Sequence, residues 1–329
     1  MSHKNIQSFQ TAYKYGLNRF FILLLALPAL LFTRGIKAQQ SPLFLAVKGN
    51  NIKDVKSLLD KGADPNAYDD DSDNVLINAA LYASVDCMEL LLQKKANPNL
   101  KNKLGQTALM FCTHEADKMK LLFHYGADIN AKSNSNNTPL LIACTGNGQY
   151  ENIKFLIDNG ADPLAKNYGK ETTLMRAVQF GDTMTIHLLI SKGVAVNENP
   201  WGFTALMYAT RYGNWPCVFS LLDNGADPNI TDNMNLPPVQ WAAEQNNIDA
   251  VKVLLKKTKN INTVDSFGHM TPLMWATFNE HDNPQIIQAF LDKGALLNVK
   301  DKNGETALSW AMKKGNTATV ALLKKAGAQ

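Results

Sequence analysis

Hydrophobic and polar positions recur along this chain with a period of about 33 residues. Each period contains two stretches in which apolar residues return every three or four positions, and it opens on a short polar group that ends in Leu or Val. These nine opening residues lie 33, 33, 31, 34, 32, 33, 34 and 35 positions apart. They are Leu43, Leu76, Leu109, Leu140, Leu174, Leu206, Val239, Leu273 and Leu308. Because a spacing of three to four is typical of amphipathic helices, each period predicts a pair of helices.

The start and the end of each predicted helix pair carry their own signals. A Thr or Ser before the opening Leu can accept a hydrogen bond from an unpaired backbone N–H, and Pro is tolerated at the next position. The period closes on GADPN at 62–66 and at 225–229, and on weaker copies at 95–99 and 258–262, where Lys95 and Thr258 replace the Gly. Gly supplies a left-handed helix end, and Asp-Pro-Asn then turns the chain into a loop, which we call a finger. Each repeat therefore reads first helix, turn, second helix, finger.

This pattern resembles that of the ankyrin repeat family, whose phrase reads D-x-x-G-x-T-P-L-H-x-A. The phrase stands nearly intact as DKNGETAL at 301–308 and, without its leading Asp, as GFTAL at 202–206. The resemblance covers roughly residues 41–329. It implies an all-α fold, an ankyrin repeat solenoid of about nine helix-turn-helix repeats with β-turn fingers, occupying residues 39–329. It also implies that a concave groove of this solenoid binds another protein.

The first 38 residues have a different composition. They hold five basic residues and no acidic one, with a run of 13 mostly apolar residues at 20–32 followed by IKA at 36–38. A basic region, a short apolar core and a small residue predict a secretory signal peptide at 1–38 and an exported, periplasmic or secreted protein. The run is shorter than the roughly 20 residues of a membrane span. An uncleaved membrane anchor at 20–32 and a leader retained on a cytoplasmic protein remain as alternatives.

The net positive charge of the chain comes from the same segment, residues 1–38, which we call the leader. The whole sequence has 33 basic and 29 acidic residues, a net charge of +4. Without the five basic residues of the leader, 28 basic residues stand against 29 acidic ones, which leaves −1. Nucleic acid and anionic membranes attract strongly basic domains. We therefore expect no nucleic-acid partner, and a membrane partner only if the leader is not cleaved.

Residue types that carry chemistry are present but scattered. The six histidines fall in different parts of the chain, and no zinc-ligand spacing, phosphate-binding loop or nucleophile motif occurs. The Asp-rich segment at 69–73 lacks the Gly and the Glu of a calcium-binding loop. We expect no metal site, no cofactor, no small-molecule substrate and no enzymatic activity. The four cysteines fall at helix positions too far apart to pair, which predicts free, buried thiols: Cys87, Cys112, Cys144 and Cys217.

Surface recognition remains, and the repeat geometry predicts where it occurs. In each first helix, the residues five and six places after the opening Leu or Val are expected to face the groove, beside the finger tips. Aromatic residues recur at these positions, chiefly in repeats five to eight, and exposed aromatics are typical of protein interfaces. The predicted partner-binding residues are Tyr168, Phe180, Trp201, Phe203, Tyr212, Phe267 and Phe278.

Aromatic residues in a helical stack also pack internally, so two interpretations stand side by side. Four aromatics lie two places after the opening residue, a position predicted to pack against the next repeat: Tyr208, Trp241, Trp275 and Trp310. For most of the predicted partner-binding residues, local packing remains the alternative. Two functions fit the sequence. One is a non-enzymatic scaffold that binds a protein partner, and the other is an accessory or inhibitory subunit of a co-exported enzyme.

Overall fold

Eighteen α-helices, arranged as nine consecutive pairs, make up the part of the chain that this computed structural model describes, residues 41–329 without residues 147 and 181. Residues 1–40, with the predicted signal peptide, lie outside the described part. No β-strand occurs in the described part, although isolated antiparallel bridges join Tyr68 to Asn74 and Lys166 to Thr172 within two fingers. The helices are α1 Pro42–Lys48, α2 Ile52–Asp60, α3 Val75–Tyr82, α4 Val85–Gln93, α5 Ala108–Phe111, α6 Ala116–His124, α7 Pro139–Ala143, α8 Tyr150–Asp158, α9 Thr173–Ala177, α10 Thr183–Ser191, α11 Ala205–Arg211, α12 Trp215–Asp223, α13 Pro238–Glu244, α14 Ile248–Lys257, α15 Pro272–Thr277, α16 Pro284–Asp292, α17 Ala307–Lys314 and α18 Thr317–Lys325. Each repeat supplies one odd-numbered and one even-numbered helix, and its finger follows.

The first helices begin where the opening groups predicted. The Thr172 hydroxyl accepts the N–H of Met175, and the Thr204 hydroxyl accepts the N–H of Met207, which satisfies one unpaired donor at each helix start. Three first helices lack such a bond, those that begin after Ser41, Thr107 and Pro237. The third repeat departs furthest, since its α5 has only four residues. This is the repeat with two residues fewer than the common period.

Eight of the nine second helices are followed by a left-handed residue, and the exception is α14, where Thr258 has φ −73°. Gly62 has φ 90° and Gly225 has φ 86°, and the N–H of Ala63 reaches back to the carbonyl of Leu58 at 3.0 Å. Lys95 occupies the same position with φ 67°, although a residue with a side chain adopts this conformation at a cost of about 1–2 kcal/mol. The replacement of Gly by Lys thus weakens the second repeat without changing its path.

The core lies between consecutive repeats. First helices pack on first helices and second helices on second helices along the chain. The nine opening residues are buried, and so is the small residue three places later in every repeat, for example Ala79, Cys112 and Ala143. A small side chain at this position allows neighbouring helices to approach closely, as the sequence predicted.

The fingers are joined by a repeated amide link. The side chain of Asn130 donates to the carbonyl of Gly160 at 2.8 Å and accepts the N–H of Asp162 at 2.9 Å, so it connects finger 3 to the start of finger 4. The same Asn position occurs at seven of the eight joints between repeats. The linking residues are Asn66, Asn99, Asn130, Asn197, Asn229, Asn262 and Asn298.

The joint between repeats 4 and 5 is built differently. Leu164, an exposed apolar residue, occupies the Asn position there and carries no amide. A buried arginine takes over, because Arg176 of α9 donates to the carbonyl of Leu141 at 3.3 Å and to the side chain of Asn137 at 3.0 Å. Its charge is paired with Glu171 at 3.0 Å. At this joint the bonds of Arg176, the Lys166–Glu198 ion pair and the hydrogen bond from Trp201 to Gly169 stand where the others carry an amide link.

The four cysteines are free and buried, as predicted. Burial raises the pKa of Cys112 and of Cys144 to about 12 and also raises the pKa of Cys87. Because the thiolate is the reactive form, these residues behave as small apolar side chains in the folded protein.

Candidate functional site

Four of the predicted partner-binding residues are exposed. Tyr168 is 74% exposed, Trp201 65%, Tyr212 44% and Phe180 40%. Tyr168 and Trp201 lie in fingers 4 and 5, whereas Phe180 and Tyr212 follow the first helices of repeats 5 and 6. We call these four residues the groove aromatics. They surround repeats 5 and 6, a narrower region than the predicted repeats five to eight.

Two of the groove aromatics, Trp201 and Tyr212, are held in place by side-chain contacts. Trp201 lies in a short 3₁₀ turn with φ 57°, and its indole N–H donates to the carbonyl of Gly169 at 2.8 Å. The ammonium of Lys170 stands 5.1 Å from the centre of the Trp201 ring. Tyr212 stacks on Tyr208, with 6.3 Å between ring centres. Residues that are fixed before binding lose less conformational entropy on docking than mobile ones.

Two predicted site residues are buried, so the expectation that they face water is wrong. Phe203 is 9% exposed, and its ring lies 5.6 Å from Tyr208 and 6.2 Å from Trp241. Phe278 is 2% exposed and meets the edge of Trp310 at 5.1 Å. Both side chains contribute to packing between repeats.

The burial of Phe278 has a geometric reason. It lies five places after its opening residue, as Arg211 does, and both side chains pack on the aromatic ring two places after the opening residue of the next repeat. Arg211 stands 5.2 Å over the ring of Trp241, and Phe278 contacts Trp310. The exposed Tyr212 lies six places after its opening residue. Consecutive residues of a helix point about 100° apart, so the two positions face different surroundings.

Phe267 is half-buried, so its exposure is intermediate between that of the groove aromatics and that of the buried Phe203 and Phe278. The ammonium of Lys302, on the next finger, lies 4.6 Å from its ring centre and also donates to its backbone carbonyl at 2.7 Å. Lys302 therefore covers part of the ring. Phe267 is separated along the stack from the groove aromatics of repeats 5 and 6.

The tryptophans of the last two repeats are anchored by buried carboxylates. The indole N–H of Trp275 donates to Asp265 at 2.8 Å, and that of Trp310 donates to Asp301 at 3.1 Å. The four aromatics that the sequence predicted to pack against the next repeat are all at least half-buried. Trp241 and Trp310 are buried, and Trp275 and Tyr208 are half-buried. Sequence reasoning missed the acidic partners. The available signal was an Asp nine or ten residues before the Trp.

Asp232 occupies the equivalent carboxylate position in the seventh repeat. Its Oδ1 accepts the N–H groups of Met234 and Leu236, whereas its buried Oδ2 accepts no hydrogen bond from the described residues. Burial raises the pKa of Asp232, and the nearby charge of Asp265 adds to this effect. The two N–H groups and the charge of Arg211 act in the opposite direction. Burial therefore disfavours the charged form of this carboxyl.

Chemical catalysis finds little support in the geometry. Within residues 41–329, apart from residues 147 and 181, no three His, Cys, Asp or Glu side chains are grouped so as to hold a metal ion. His187 Nε2 lies 3.4 Å from the hydroxyl of Ser220, but its Nδ1 faces the amide of Asn224 and not a carboxylate.

In the same described part, no helix has the length and apolar character needed to cross a membrane.

Similarity to known proteins agrees with this geometry. The family model described as "Ankyrin repeats (3 copies)" matches residues 43–133, 76–167, 140–232, 217–301 and 239–329. The chain is 29% identical to the ankyrin repeat protein nuc-2 of Neurospora crassa over 65% of its length and 20% of that protein. It is 35% identical to a putative ankyrin repeat protein of Rickettsia felis over 42% of its length and 45% of that protein. The chain thus spans less than half the length of these curated relatives.

A solved structure shares the fold. The crystal structure of the human ASB11 ankyrin repeat domain matches with a TM-score of 0.60 at 22% identity, over 68% of this chain and 99% of that one. At this identity the likeness concerns the fold alone. Because the family model matches successive segments that together cover residues 43–329, the chain belongs to the ankyrin repeat family.

Proposed function

We propose that residues 41–329 are a docking module that binds another protein through the groove aromatics of repeats 5 and 6. The observation that carries this proposal is the exposure of four large aromatic side chains on neighbouring repeats. Large aromatic side chains are enriched among interface hot spots. Membership of the ankyrin repeat family supports the same function.

The test compares capture of partners by variants of the full-length protein. The variant Tyr168→Ala/Trp201→Ala/Tyr212→Ala removes three of the groove aromatics, and Met184→Ala/Leu296→Ala removes two exposed apolar side chains elsewhere. Each protein carries a photo-cross-linker at residue 180, and cross-linked partners from the source cells are identified by mass spectrometry. We expect the first variant to lose the cross-linked partner and the second to retain it.

Stability measurements separate binding from folding. The groove aromatics are exposed, so the triple variant should keep its helical circular dichroism and its urea midpoint. Retention of the same cross-linked partner by the triple variant would contradict the proposal. Loss of helicity would show instead that these residues hold the stack together.

The identity of the partner distinguishes two versions of the proposed function. A scaffold would bind a structural or receptor protein, whereas an accessory or inhibitory subunit would bind a co-exported enzyme. Adding the pure protein to the captured partner and measuring the activity of that partner distinguishes the two. We further propose that the chain has no catalytic activity of its own, which turnover of a substrate by the pure protein would contradict.

Export of the protein is a separate proposal that rests on residues 1–38. The basic start, the apolar run at 20–32 and Ala38 support cleavage by a signal peptidase. Expression in a bacterial host, fractionation and N-terminal sequencing provide the test. A new N-terminus at residue 39 in the periplasmic fraction is expected. An intact leader in the membrane fraction would favour the anchor at 20–32.

A further inference from the structure

Three large apolar side chains are exposed on the first helices of repeats 1 and 2. Leu45 of α1 is 55% exposed, Leu81 of α3 is 43% exposed and Tyr82 of α3 is 56% exposed. We call these three residues the apolar patch. They lie on other repeats than the groove aromatics, which surround repeats 5 and 6. The apolar patch is therefore a surface that the proposed function does not use.

The exposure of Leu45 follows from its place in the repeat. It lies two places after its opening residue, and in the eight later repeats the side chain at this position is buried or half-buried. Trp310 shows the cause, because Phe278 of the preceding repeat packs on its ring. No described repeat precedes α1, so Leu45 lacks a cover of this kind.

Contacts of Lys48 join the apolar patch to finger 1. Its ammonium lies 5.9 Å from the ring centre of Tyr82 and 3.6 Å from Asp69 Oδ2 on finger 1. The side-chain amide of Asn78 on α3 donates to the same carboxylate oxygen at 3.0 Å. Leu45 precedes Lys48 by three residues, and the patch residues of α3 follow Asn78 by three and four. Because side chains at these spacings share a helix face, the patch and finger 1 form one connected surface.

The chain around the apolar patch is strongly acidic. Residues 62–93, which comprise finger 1 and the helix pair α3 and α4, contain seven acidic residues and neither lysine, arginine nor histidine. The acidic residues are Asp64, Asp69, Asp70, Asp71, Asp73, Asp86 and Glu89. Residues 39–329 as a whole are nearly neutral, so the negative charge is concentrated beside the patch.

The tip of finger 1 keeps its negative charge. Asp70 and Asp71 are exposed there and form no ion pair with the described residues. The adjoining finger 2 carries four lysines, but Lys94 pairs with Asp60 and Lys101 donates to a backbone carbonyl of finger 3. The other two stand against the five aspartates of finger 1. A basic partner would therefore meet an excess of negative charge.

The width of the apolar patch suits an α-helix. Helices α1 and α3 pack against each other, and packed helices lie about 8–10 Å apart. An α-helix with its side chains is about 10–12 Å wide, so one laid against the patch would contact both. Amphipathic helices bind apolar grooves through residues three and four positions apart. Lysine and arginine side chains beside that stripe also cover apolar surface with their methylene groups while their charged ends stay in water.

We propose that the apolar patch and finger 1 bind a basic amphipathic helix of a partner protein. Apolar side chains of this helix cover Leu45, Leu81 and Tyr82, and its lysines or arginines pair with Asp70 and Asp71. The opposite charges bring the two proteins together, and the apolar contacts hold them. This is a second docking surface and does not depend on the groove aromatics.

The test uses defined helical peptides and the full-length protein. One fluorescent peptide of about 18 residues has leucines three and four positions apart on one face, lysines on both sides of them and alanines elsewhere. A second has the same composition with the leucines spread around the helix, and a third has glutamate in place of lysine. Fluorescence anisotropy in about 50 mM NaCl, where surface charges are weakly screened, measures binding. We expect the first peptide to bind at least about tenfold more tightly than the other two.

Matched variants test the apolar contacts. Leu45→Ser/Tyr82→Ser removes two members of the apolar patch, and Met184→Ser/Leu296→Ser removes two apolar side chains of similar exposure elsewhere. We expect the first variant to bind the peptide at least about tenfold more weakly and the second to change less than about twofold. All four side chains are exposed, so both variants should keep their helical circular dichroism.

A second pair of variants tests the charge. Asp70→Asn/Asp71→Asn neutralises the tip of finger 1, and Asp223→Asn/Asp249→Asn neutralises two exposed aspartates on α12 and α14. We expect the first variant to bind at least about threefold more weakly and the second to change less than about twofold. A rise to about 300 mM NaCl should weaken binding to the unmodified protein and reduce the effect of the first variant.

Several outcomes would overturn the proposal. Equal binding of the three peptides would remove the role of the basic amphipathic face, and equal effects of site and control variants would place binding elsewhere. Loss of peptide binding in the triple variant of the groove aromatics, with binding retained in Leu45→Ser/Tyr82→Ser, would assign the peptide to the groove aromatics. That result contradicts this proposal and supports the proposed function. Displacement of the peptide by about 1 mM CaCl₂ at constant ionic strength would identify finger 1 as a cation site instead.

Discussion

At the scale of single residues, the indoles of Trp275 and Trp201 make similar hydrogen bonds in opposite surroundings. Trp275 donates to the buried carboxylate of Asp265, which is 1% exposed, whereas Trp201 donates to a backbone carbonyl at the surface. A buried bond to a charged group contributes about 1.5–3 kcal/mol, and its loss leaves Asp265 Oδ2 with only the N–H of Met270. We expect Trp275→Phe to lower the free energy of unfolding by about 2 kcal/mol.

The control for this prediction is Trp201→Phe. It removes the same donor, but water replaces the lost bond, so we expect a change below about 0.5 kcal/mol. Urea unfolding followed by circular dichroism at 222 nm measures both variants without depending on the tryptophans themselves. Equal stability of the two variants would show that the Asp265 bond contributes no more than a surface contact.

The raised pKa of Asp232 leads us to expect that the stability of the protein depends on pH. Because burial raises its pKa in the folded protein, the native carboxyl holds its proton to higher pH than the unfolded one. Its contribution to stability is therefore greatest below the ordinary pKa of aspartate and is lost as pH rises through the raised value. Asp232→Asn does not titrate. Its stability relative to the unmodified protein should therefore increase from about pH 4 to about pH 7.

Urea unfolding of both proteins at a series of pH values measures this difference. Asn is compatible with the turn, since Asn102 takes the same finger position and accepts the N–H groups of Leu104 and Gln106. Asp71→Asn, at an exposed finger tip, controls for the loss of one negative charge. A difference that stays constant with pH would exclude a raised pKa at Asp232.

The limits of sequence reasoning are clearest at this scale. The position of Phe278 near the end of α15 could be predicted, but its burial depends on Trp310 in the following repeat. The ring of Trp310 lies 32 residues away from Phe278 in sequence, so no local pattern reveals that it covers Phe278. Tyr212, one helical position further on, was predicted correctly as exposed. Pairwise contacts between repeats decide which aromatic residues remain accessible.

At the scale of elements, the amide links predict which joint of the stack can be strengthened. Leu164 occupies the linking position between repeats 4 and 5, and Gly193 of finger 5 is the equivalent of Gly160 one repeat earlier. Leu164→Asn would supply the donor and the acceptor that Asn130 supplies one repeat earlier. Partly exposed hydrogen bonds contribute about 0.5–1.5 kcal/mol each, so we expect a gain of about 1 kcal/mol in unfolding free energy.

The reverse substitution is the matched test. Asn130→Leu removes one amide link and should lower stability by about the same amount. Thermal and urea unfolding of the two variants provide the measurement. If Leu164→Asn lowered stability, the exposed leucine would have to make a contact that the amide link cannot replace.

The positions of the helices and fingers were the part of the fold that the sequence predicted best. Helix starts, the buried opening residues and the finger turns all followed from local chemistry, because caps and turns are built from neighbouring residues. The missing Asn in GADPL at 160–164 was visible as well. The role of Arg176 was not, since its partners Asn137 and Leu141 lie on the preceding repeat.

At the scale of the whole molecule, a repeat array unfolds by parts when one joint is weak. The five tryptophans all follow the joint between repeats 4 and 5, so their fluorescence reports only on the C-terminal repeats. Three of the four cysteines precede that joint, and Cys217 follows it. The chain thus carries separate probes for its two halves. Repeats 1–4 also contain the shortened α5 and the left-handed Lys95.

We therefore expect repeats 1–4 to open at a lower urea concentration than repeats 5–9. Burial of the thiols and the raised pKa values of Cys112 and Cys144 prevent their reaction in the folded state, so labelling requires opening. Pulse labelling with an alkylating reagent, followed by mass spectrometry, should show these residues modified while Cys217 and tryptophan fluorescence remain native. In Leu164→Asn the two transitions should move together, because a stronger joint restores cooperativity between the halves. Simultaneous labelling of all four cysteines in the unmodified protein would show that the contacts of Arg176, Lys166 and Trp201 make this joint as strong as the rest.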